Sequence, residues 1–117
     1  MPPMSPPKHL WYIVVVISVI GILAMRPWFV TAAGDAQRGK TIYEKNCQGC
    51  HGQTGHGVGG ATPNLADPDR MSALTDQNLY QTVTQGRPGT GMPSWSLVLS
   101  EQDRWHVVAY LRTLSAR

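Results

Sequence analysis

Two cysteines and a histidine lie within five residues of this chain, in the order Cys47-Gln48-Gly49-Cys50-His51. A thiol is a nucleophile and a metal ligand, and imidazole is a common metal ligand. At this spacing, two thiols can add to the vinyl groups along one porphyrin edge, and the next imidazole can reach the iron. The chain has 2 cysteines in total. The motif therefore predicts one c-type haem, attached covalently through Cys47 and Cys50, with His51 as an iron ligand.

The same motif also occurs in redox and zinc-binding proteins. A thioredoxin-like redox pair needs a βαβ context, which the sequence pattern lacks. A zinc site needs two more ligands, but the sequence has neither a second C-x-x-C pair nor an H-x-x-x-H pair. A chance match is the third possibility, and the rest of the chain argues against it.

An uncharged apolar segment, Leu10–Met25, precedes the motif. As a helix, its 16 residues would span about 24 Å, slightly less than the roughly 30 Å hydrocarbon core of a bilayer. Arg26 interrupts the apolar character, which then continues to residue 30. Trp11 and Tyr12 near one end and Trp28 near the other match aromatic residues at membrane interfaces. The segment therefore predicts a single transmembrane anchor over residues 10–30.

A cleaved secretory signal is the alternative to a retained anchor. Lys8 and the small residues at 31–33 favour a signal, whereas the length of the apolar run favours an anchor. Both interpretations export Cys47, because covalent haem attachment is completed outside the cytoplasm. The anchor predicts a single pass through the cell inner membrane, with the haem domain on the periplasmic face. The predicted segments are a Pro-rich cytoplasmic tail at 1–9, the anchor at 10–30, a linker at 31–35 and a haem-binding domain at 36–117.

The charge of the chain is no argument for nucleic-acid binding. The formal net charge is +3, but Lys8 and Arg26 lie outside the folded part. From Asp35 onward there are eight basic and seven acidic side chains. Two haem propionates would bring the net charge of that part to about −1.

The folded part predicts about three helices and no strand. Periodicity and caps indicate helices over 36–46, from Thr75 or Asp76 to Gln85 with Gly86 as C-cap, and from the N-cap Ser100 through residue 114. The segments 52–60, 66–70 and 87–95 are predicted to be loops, and the first of these is expected to be flexible because it is rich in glycine. About eighty residues of this kind make a thin core, and a buried macrocycle would supply the missing apolar volume.

The sequence resembles the class I monohaem c-type cytochromes from Asp35 to Arg117. Four ordered motifs carry the resemblance: Gly39-x-x-x-Tyr43 before the Cys-x-x-Cys-His run, Pro63-Asn64-Leu65, Gly86…Gly91-Met92-Pro93, and Ala109-Tyr110-Leu111-Arg112. The resemblance implies an all-α fold, a small c-type cytochrome fold of three or more helices around one haem. Here that fold would follow a single N-terminal transmembrane helix.

The resemblance also implies roles for single residues. The Pro63 carbonyl would accept a hydrogen bond from His51, and Leu65 would pack on the haem. The Met92 sulfur would bind the iron opposite His51. Gly39 would let the first helix cross closely over the last, near Tyr110.

Other side chains compete with Met92 for the iron. Met71 is the rival sulfur, but Met92 lies in a Gly/Pro-rich loop rather than on an apolar helical face, where core methionines usually lie. His56 and His106 are the rival nitrogens. His106 is expected to be either solvent-facing or packed.

These features predict an electron-transfer protein rather than an enzyme. It would be a membrane-tethered one-electron carrier with a six-coordinate His/Met haem, and analogy places it as a subunit of a respiratory or photosynthetic complex. Its expected partners are membrane lipid and redox proteins, with no nucleic acid and no small-molecule substrate. The alternatives are the cytochrome subunit of a periplasmic dehydrogenase, or a haem enzyme or gas sensor if Met92 is not a ligand.

Overall fold

The computed structural model describes residues 1–24 and 34–117, and in these ranges all regular structure is helical. The helices are α1 (Lys8–Ala24), α2 (Ala36–Asn46), α3 (Gln48–His51), α4 (Pro68–Ser72), α5 (Asp76–Gln85) and α6 (Glu101–Ser115). The chain divides into two units, residues 1–30 and 31–117. The all-α prediction is confirmed for the described ranges.

The N-terminal unit is a Pro-rich tail followed by α1, a helix of 17 residues. Its apolar side chains from Leu10 to Ile17 are 40% to 72% exposed. Within residues 1–24 and 34–117, no helix meets the length and apolarity needed to cross a membrane. The predicted anchor at 10–30 and the predicted linker at 31–35 both extend into residues 25–33, which lie outside the described residues.

The second unit is built on the crossing of α2 and α6. The helices meet at Gly39, where an added Cβ would overlap the carbonyl of His106 and lie 2.9 Å from the Cβ of Tyr110. One turn later, the rings of Tyr43 and Tyr110 pack with their centroids 5.2 Å apart. The predicted close crossing at Gly39 is thus confirmed.

The helix caps follow the sequence signals. Thr75 begins α5 with a reciprocal capping box to Asn78. Ser100 begins α6 with the same arrangement to Asp103. Each box satisfies backbone groups that the first turn leaves unpaired. Gly86 ends α5 at a φ of 67°, as predicted for its C-cap.

One loop prediction needs correction. The sequence predicts a loop over residues 66–70, but α4 begins at Pro68, with the Asp67 side chain capping its first turn. Proline at the first helical position is favourable because its missing N–H is not needed there. The glycine-rich segment 52–60 lacks helix and strand as predicted, and hydrogen bonds join its backbone to neighbouring parts of the domain. Its flexibility stays a prediction.

The core collects apolar side chains from α2, α4, α5, the segment before α6, and α6 itself. Its buried members are Tyr43, Met71, Leu79, Val83, Leu99, Val107, Val108, Tyr110, Leu111 and Leu114.

Candidate functional site

The two cysteines lie where α2 gives way to α3. The Cys47 N–H donates to the Tyr43 carbonyl at 2.8 Å, which completes the last turn of α2. Cys47 is half-buried, Cys50 is exposed, and neither forms a disulfide in the described chain. Burial, followed by the nearby Cys50, raises the pKa of Cys47 to about 11. Its sulfur is therefore a neutral thiol at neutral pH.

The glycine-rich loop folds back onto the motif. The Gly57 N–H donates to the His51 carbonyl at 2.8 Å, and the Leu65 N–H donates to the Gly55 carbonyl at 2.7 Å. Gly55 is buried, and a Cβ there would lie 3.4 Å from that of Leu65. The loop thus brings the Pro63–Leu65 segment back beside the motif, although more than ten residues separate them in sequence.

The His51 ring lies in a partly desolvated position. Burial lowers the pKa of His51, and the positive charge of Arg87 acts in the same direction. The Pro63 backbone opposes this shift as a hydrogen-bond acceptor, so it lies beside the ring. The Nδ1 atom is buried, and no described residue meets it with good hydrogen-bond geometry. A neutral imidazole keeps a lone pair, which a metal ion can use.

The Met92 loop is fixed to the end of α5. The Arg87 N–H donates to the Met92 carbonyl at 3.0 Å, and the Trp95 N–H donates to the Val83 carbonyl at 3.2 Å. Gly86 has a φ of 67°, and an added Cβ would lie 2.7 Å from the Met92 carbonyl oxygen. Met92 itself is partly buried. Its backbone is therefore set by contacts at both ends of a short loop.

The rival ligands have other contacts. Met71 is 1% exposed in the core. His106 is 7% exposed, and its Nδ1 atom accepts the Asp35 N–H at 2.7 Å. Of the two expectations for His106, packing is therefore confirmed and exposure to solvent is wrong. His56 is exposed, with its Nδ1 atom 2.8 Å from the hydroxyl of Thr54.

The resemblance would place Arg87 near a haem propionate. In the structure Arg87 connects the two halves of the site, a role that the sequence analysis does not assign to it. Its backbone binds that of Met92, and its charge acts on His51. No spacing rule signals this role, because Arg87 and His51 are brought together only by the fold. The one sequence signal is its place between the C-cap Gly86 and Met92.

The donor set fits a covalently attached haem. It offers two thiols outside any disulfide and a partly buried imidazole whose pKa is lowered. These are the groups that form thioether bonds and bind iron from one side. Comparison with known proteins agrees with this chemistry. The family model described as cytochrome c oxidase, cbb3-type, subunit III matches residues 34–111.

The chain belongs to this family. It is a monohaem c-type cytochrome with covalently bound haem c. The similar proteins support a role as an electron-transfer cytochrome.

The curated proteins similar to this chain include much longer proteins and proteins of comparable length. The cbb3-type cytochrome c oxidase subunit CcoP of Azospirillum brasilense is 37% identical over 90 residues, which cover 72% of this chain and 30% of that protein. Cytochrome c55X of Stutzerimonas stutzeri is 38% identical over 88 residues, which cover 73% of this chain and 72% of that protein. The chain thus spans less than a third of the length of the CcoP relative.

A solved structure supports the same fold. Cytochrome cL from Hyphomicrobium denitrificans is 31% identical, with a TM-score of 0.56, and the match covers 71% of this chain and 49% of that one. The small c-type cytochrome fold is therefore shown for the second unit.

Proposed function

We propose that this chain is a one-electron carrier whose haem iron is held between His51 and Met92. The haem supplies a one-electron couple when bound, and the chain supplies its attachment, its axial ligands and its surroundings. Cys47 and Cys50 would hold the macrocycle. Leu65 would cover one face of it. If His51 and Met92 both bind the iron, no position would be left on it for a substrate.

The observation that carries this proposal is the fixed position of the Met92 loop. A weak ligand such as a thioether binds best when its backbone is already held in place, because less conformational entropy is lost on ligation. The Arg87–Met92 hydrogen bond and the contacts of Gly86 hold it in this way. Met71, by contrast, is enclosed in the core.

The Pro63 carbonyl is the proposed partner of the His51 ring N–H. Such a hydrogen bond fixes the tautomer and orientation of a metal-binding imidazole and raises its basicity. The raising effect of the Pro63 backbone on the pKa of His51 supports this role.

Replacement of Met92 tests the axial ligand. In the haem-loaded Met92→Ala protein, we expect ferrous iron to bind carbon monoxide and the reduction potential to fall, because a thioether ligand favours the ferrous state. Met71→Leu is the matched control, since it removes the other candidate sulfur while keeping core volume. Parent-like spectra and potential in Met92→Ala would show that another residue is the ligand. Carbon monoxide binding by the parent itself would favour the gas sensor or haem enzyme instead.

We also propose that the N-terminal segment tethers the cytochrome to the inner membrane, with the haem domain on the periplasmic face. The exposed apolar side chains of α1 support contact with lipid, since a stretch of this kind is costly in water. Trp11 and Tyr12 near its start suit an interface.

A salt and carbonate wash of membranes that contain the full chain tests the tether. We expect the protein to stay with the membrane, and we expect Val15→Lys, which places a charge in α1, to weaken retention. Ser5→Lys in the tail is the control and should change nothing. Release of the parent chain into the wash would contradict the tether and favour a cleaved signal.

The proposed partners are redox proteins of a membrane electron-transfer complex. The CcoP relatives, named as subunits of cbb3-type oxidases, support this choice. A periplasmic dehydrogenase is the second candidate, supported by a 32% identical structural match to the dihydro-haem d1 dehydrogenase NirN, with a TM-score of 0.56. Purification of the full chain in mild detergent, followed by identification of the proteins that remain bound, separates the two.

A further inference from the structure

Tyr43 contacts both ends of the haem-binding motif. Its backbone carbonyl accepts the Cys47 N–H at 2.8 Å. Its hydroxyl donates to the carbonyl of Gly52, the residue after His51, at 2.7 Å. One residue of α2 therefore bridges the segment that carries both cysteines and the histidine.

The Tyr43 ring is held firmly by its surroundings. The residue is 0% exposed. Its ring packs against Tyr110, and one turn earlier Gly39 brings the α2 backbone against that of α6. A phenol packed in this way can hold whatever its hydroxyl binds, because side chains in a close-packed interior turn less freely than exposed ones.

The backbone after His51 depends on that hydroxyl. Gly52 has a φ of 79°, and its N–H donates to the Gln48 carbonyl at 2.9 Å. The other donor to the Gly52 carbonyl is the Gly55 N–H at 3.3 Å, a longer and therefore weaker bond. Of the two hydrogen bonds to the Gly52 carbonyl, the one from the Tyr43 hydroxyl is thus the shorter, and it is the one that a side chain donates.

We propose that the Tyr43 hydroxyl is a positioning group for His51: by holding the Gly52 carbonyl, it sets the orientation of the imidazole plane over the iron. This role rests on the proposed ligation by His51. Helix packing alone would need only the ring of Tyr43. The hydrogen bond adds a link from the α2–α6 crossing to the axial ligand.

The test compares Tyr43→Phe with Tyr110→Phe in the full haem-loaded chain. Both variants lose a hydroxyl from the same packed pair of rings, but among the described residues only the Tyr43 hydroxyl of this pair donates a hydrogen bond. The readout is the electron paramagnetic resonance of the ferric protein, whose low-spin g values depend on the orientation of the axial ligand planes. We expect the largest g value to shift in Tyr43→Phe and to stay at the parent value in Tyr110→Phe.

Equal shifts in the two variants would overturn the proposal, since they would trace the effect to the packed rings and not to the hydrogen bond. No shift in either would also overturn it, since the hydroxyl would then be dispensable for orientation. If Tyr43→Phe fails to bind haem, the test uses 3-fluorotyrosine at position 43 instead. This residue keeps the ring, and its more acidic hydroxyl is a stronger hydrogen-bond donor to the Gly52 carbonyl. We then expect a shifted g value, and an unchanged spectrum would overturn the proposal. Failure of the proposed function is seen separately, as a parent spectrum without low-spin His/Met character.

Discussion

Gly39 of α2 lies directly against the backbone carbonyl of His106 in α6. No side chain separates the two helices at this point. The contact sets the depth at which Tyr43, one turn further along α2, enters the core against Tyr110. Since α2 leads directly into the cysteine pair, the position of the haem attachment segment depends on this crossing.

Replacement of Gly39 tests that dependence. In Gly39→Ala, the new Cβ would overlap the His106 carbonyl, and overpacking of this kind costs about 1–3 kcal/mol or more. Denaturant unfolding of the haem-loaded protein measures the loss. Gly49→Ala is the control, because no described atom lies within 4 Å of its added Cβ. A loss in Gly49→Ala as large as that in Gly39→Ala would contradict the role of the crossing.

Arg112 connects α6 to the end of α4 and the start of α5. Its guanidinium donates to the carbonyls of Met71 and Leu74 at 2.5 Å each and to the Asp76 carboxylate at 2.7 Å. We expect Arg112→Lys to lose about 2–3 kcal/mol of unfolding free energy, because the carbonyls lose their planar donor. In Asp76→Asn the loss should stay below about 1 kcal/mol, since the exposed ion pair contributes little. Equal losses in the two variants would show that the ion pair, not the carbonyl contacts, is what matters.

The acid sensitivity of the domain should depend in part on Asp35. The N–H groups of Arg38 and Gln37 lower the pKa of Asp35 below its ordinary value of 3.8. A carboxylate whose folded-state pKa is lowered stabilises the fold above its unfolded pKa, and this contribution is lost as the pH falls through the folded value. We therefore expect the parent to lose stability below about pH 4 more steeply than Asp35→Asn, which keeps a capping side chain without a charge. Parallel pH profiles from about pH 7 to about pH 3 would rule this out.

Gly86 should control how tightly the Met92 loop is closed. Ala at this position would need a positive φ and would approach the Met92 carbonyl and Pro93 too closely. The overlap costs about 1–3 kcal/mol in addition to the backbone penalty. We therefore expect external imidazole to bind the ferric haem roughly tenfold more tightly in Gly86→Ala than in Gly89→Ala, if Met92 is the displaced ligand.

Gly89→Ala is the matched control for this experiment. Gly89 has a φ of 79°, but no atom in the described chain lies within 4 Å of an added Cβ. It therefore carries the same backbone penalty without the contact. Imidazole titrations that match for the two variants would mean that backbone strain alone, and not the contact with Met92, loosens the loop.

Local signals in the sequence were sufficient for the N-cap Ser100, and they limited the N-cap of α5 to Thr75 or Asp76, of which the structure has Thr75. In each case the cap and its partner lie within three residues, so no other part of the chain is needed to form the box. The missed helix α4 also has local signals, because Asp67 and Pro68 are a favourable cap and first residue. Charges beside a proline are equally typical of a loop, so the pattern alone does not separate a short helix from a turn.

Contacts between distant parts of the chain could not be predicted in this way. The packing of His106 depends on a hydrogen bond to Asp35, 71 residues away. The link from Arg112 to Met71 spans 41 residues. No periodicity encodes such pairs, because they form only when separate helices have been placed side by side.

The Cys47–His51 motif, together with the ordered motifs that follow it, was enough to predict a covalent haem c, since the chemistry of attachment needs residue types at a fixed local spacing. The family match agrees with that conclusion. The tertiary structure alone decided that the Tyr43 hydroxyl reaches Gly52 and that Arg87 lies near both His51 and Met92. The physical reason is that hydrogen bonds and charges act over a few ångströms in space, and the sequence does not state which distant residues will come that close.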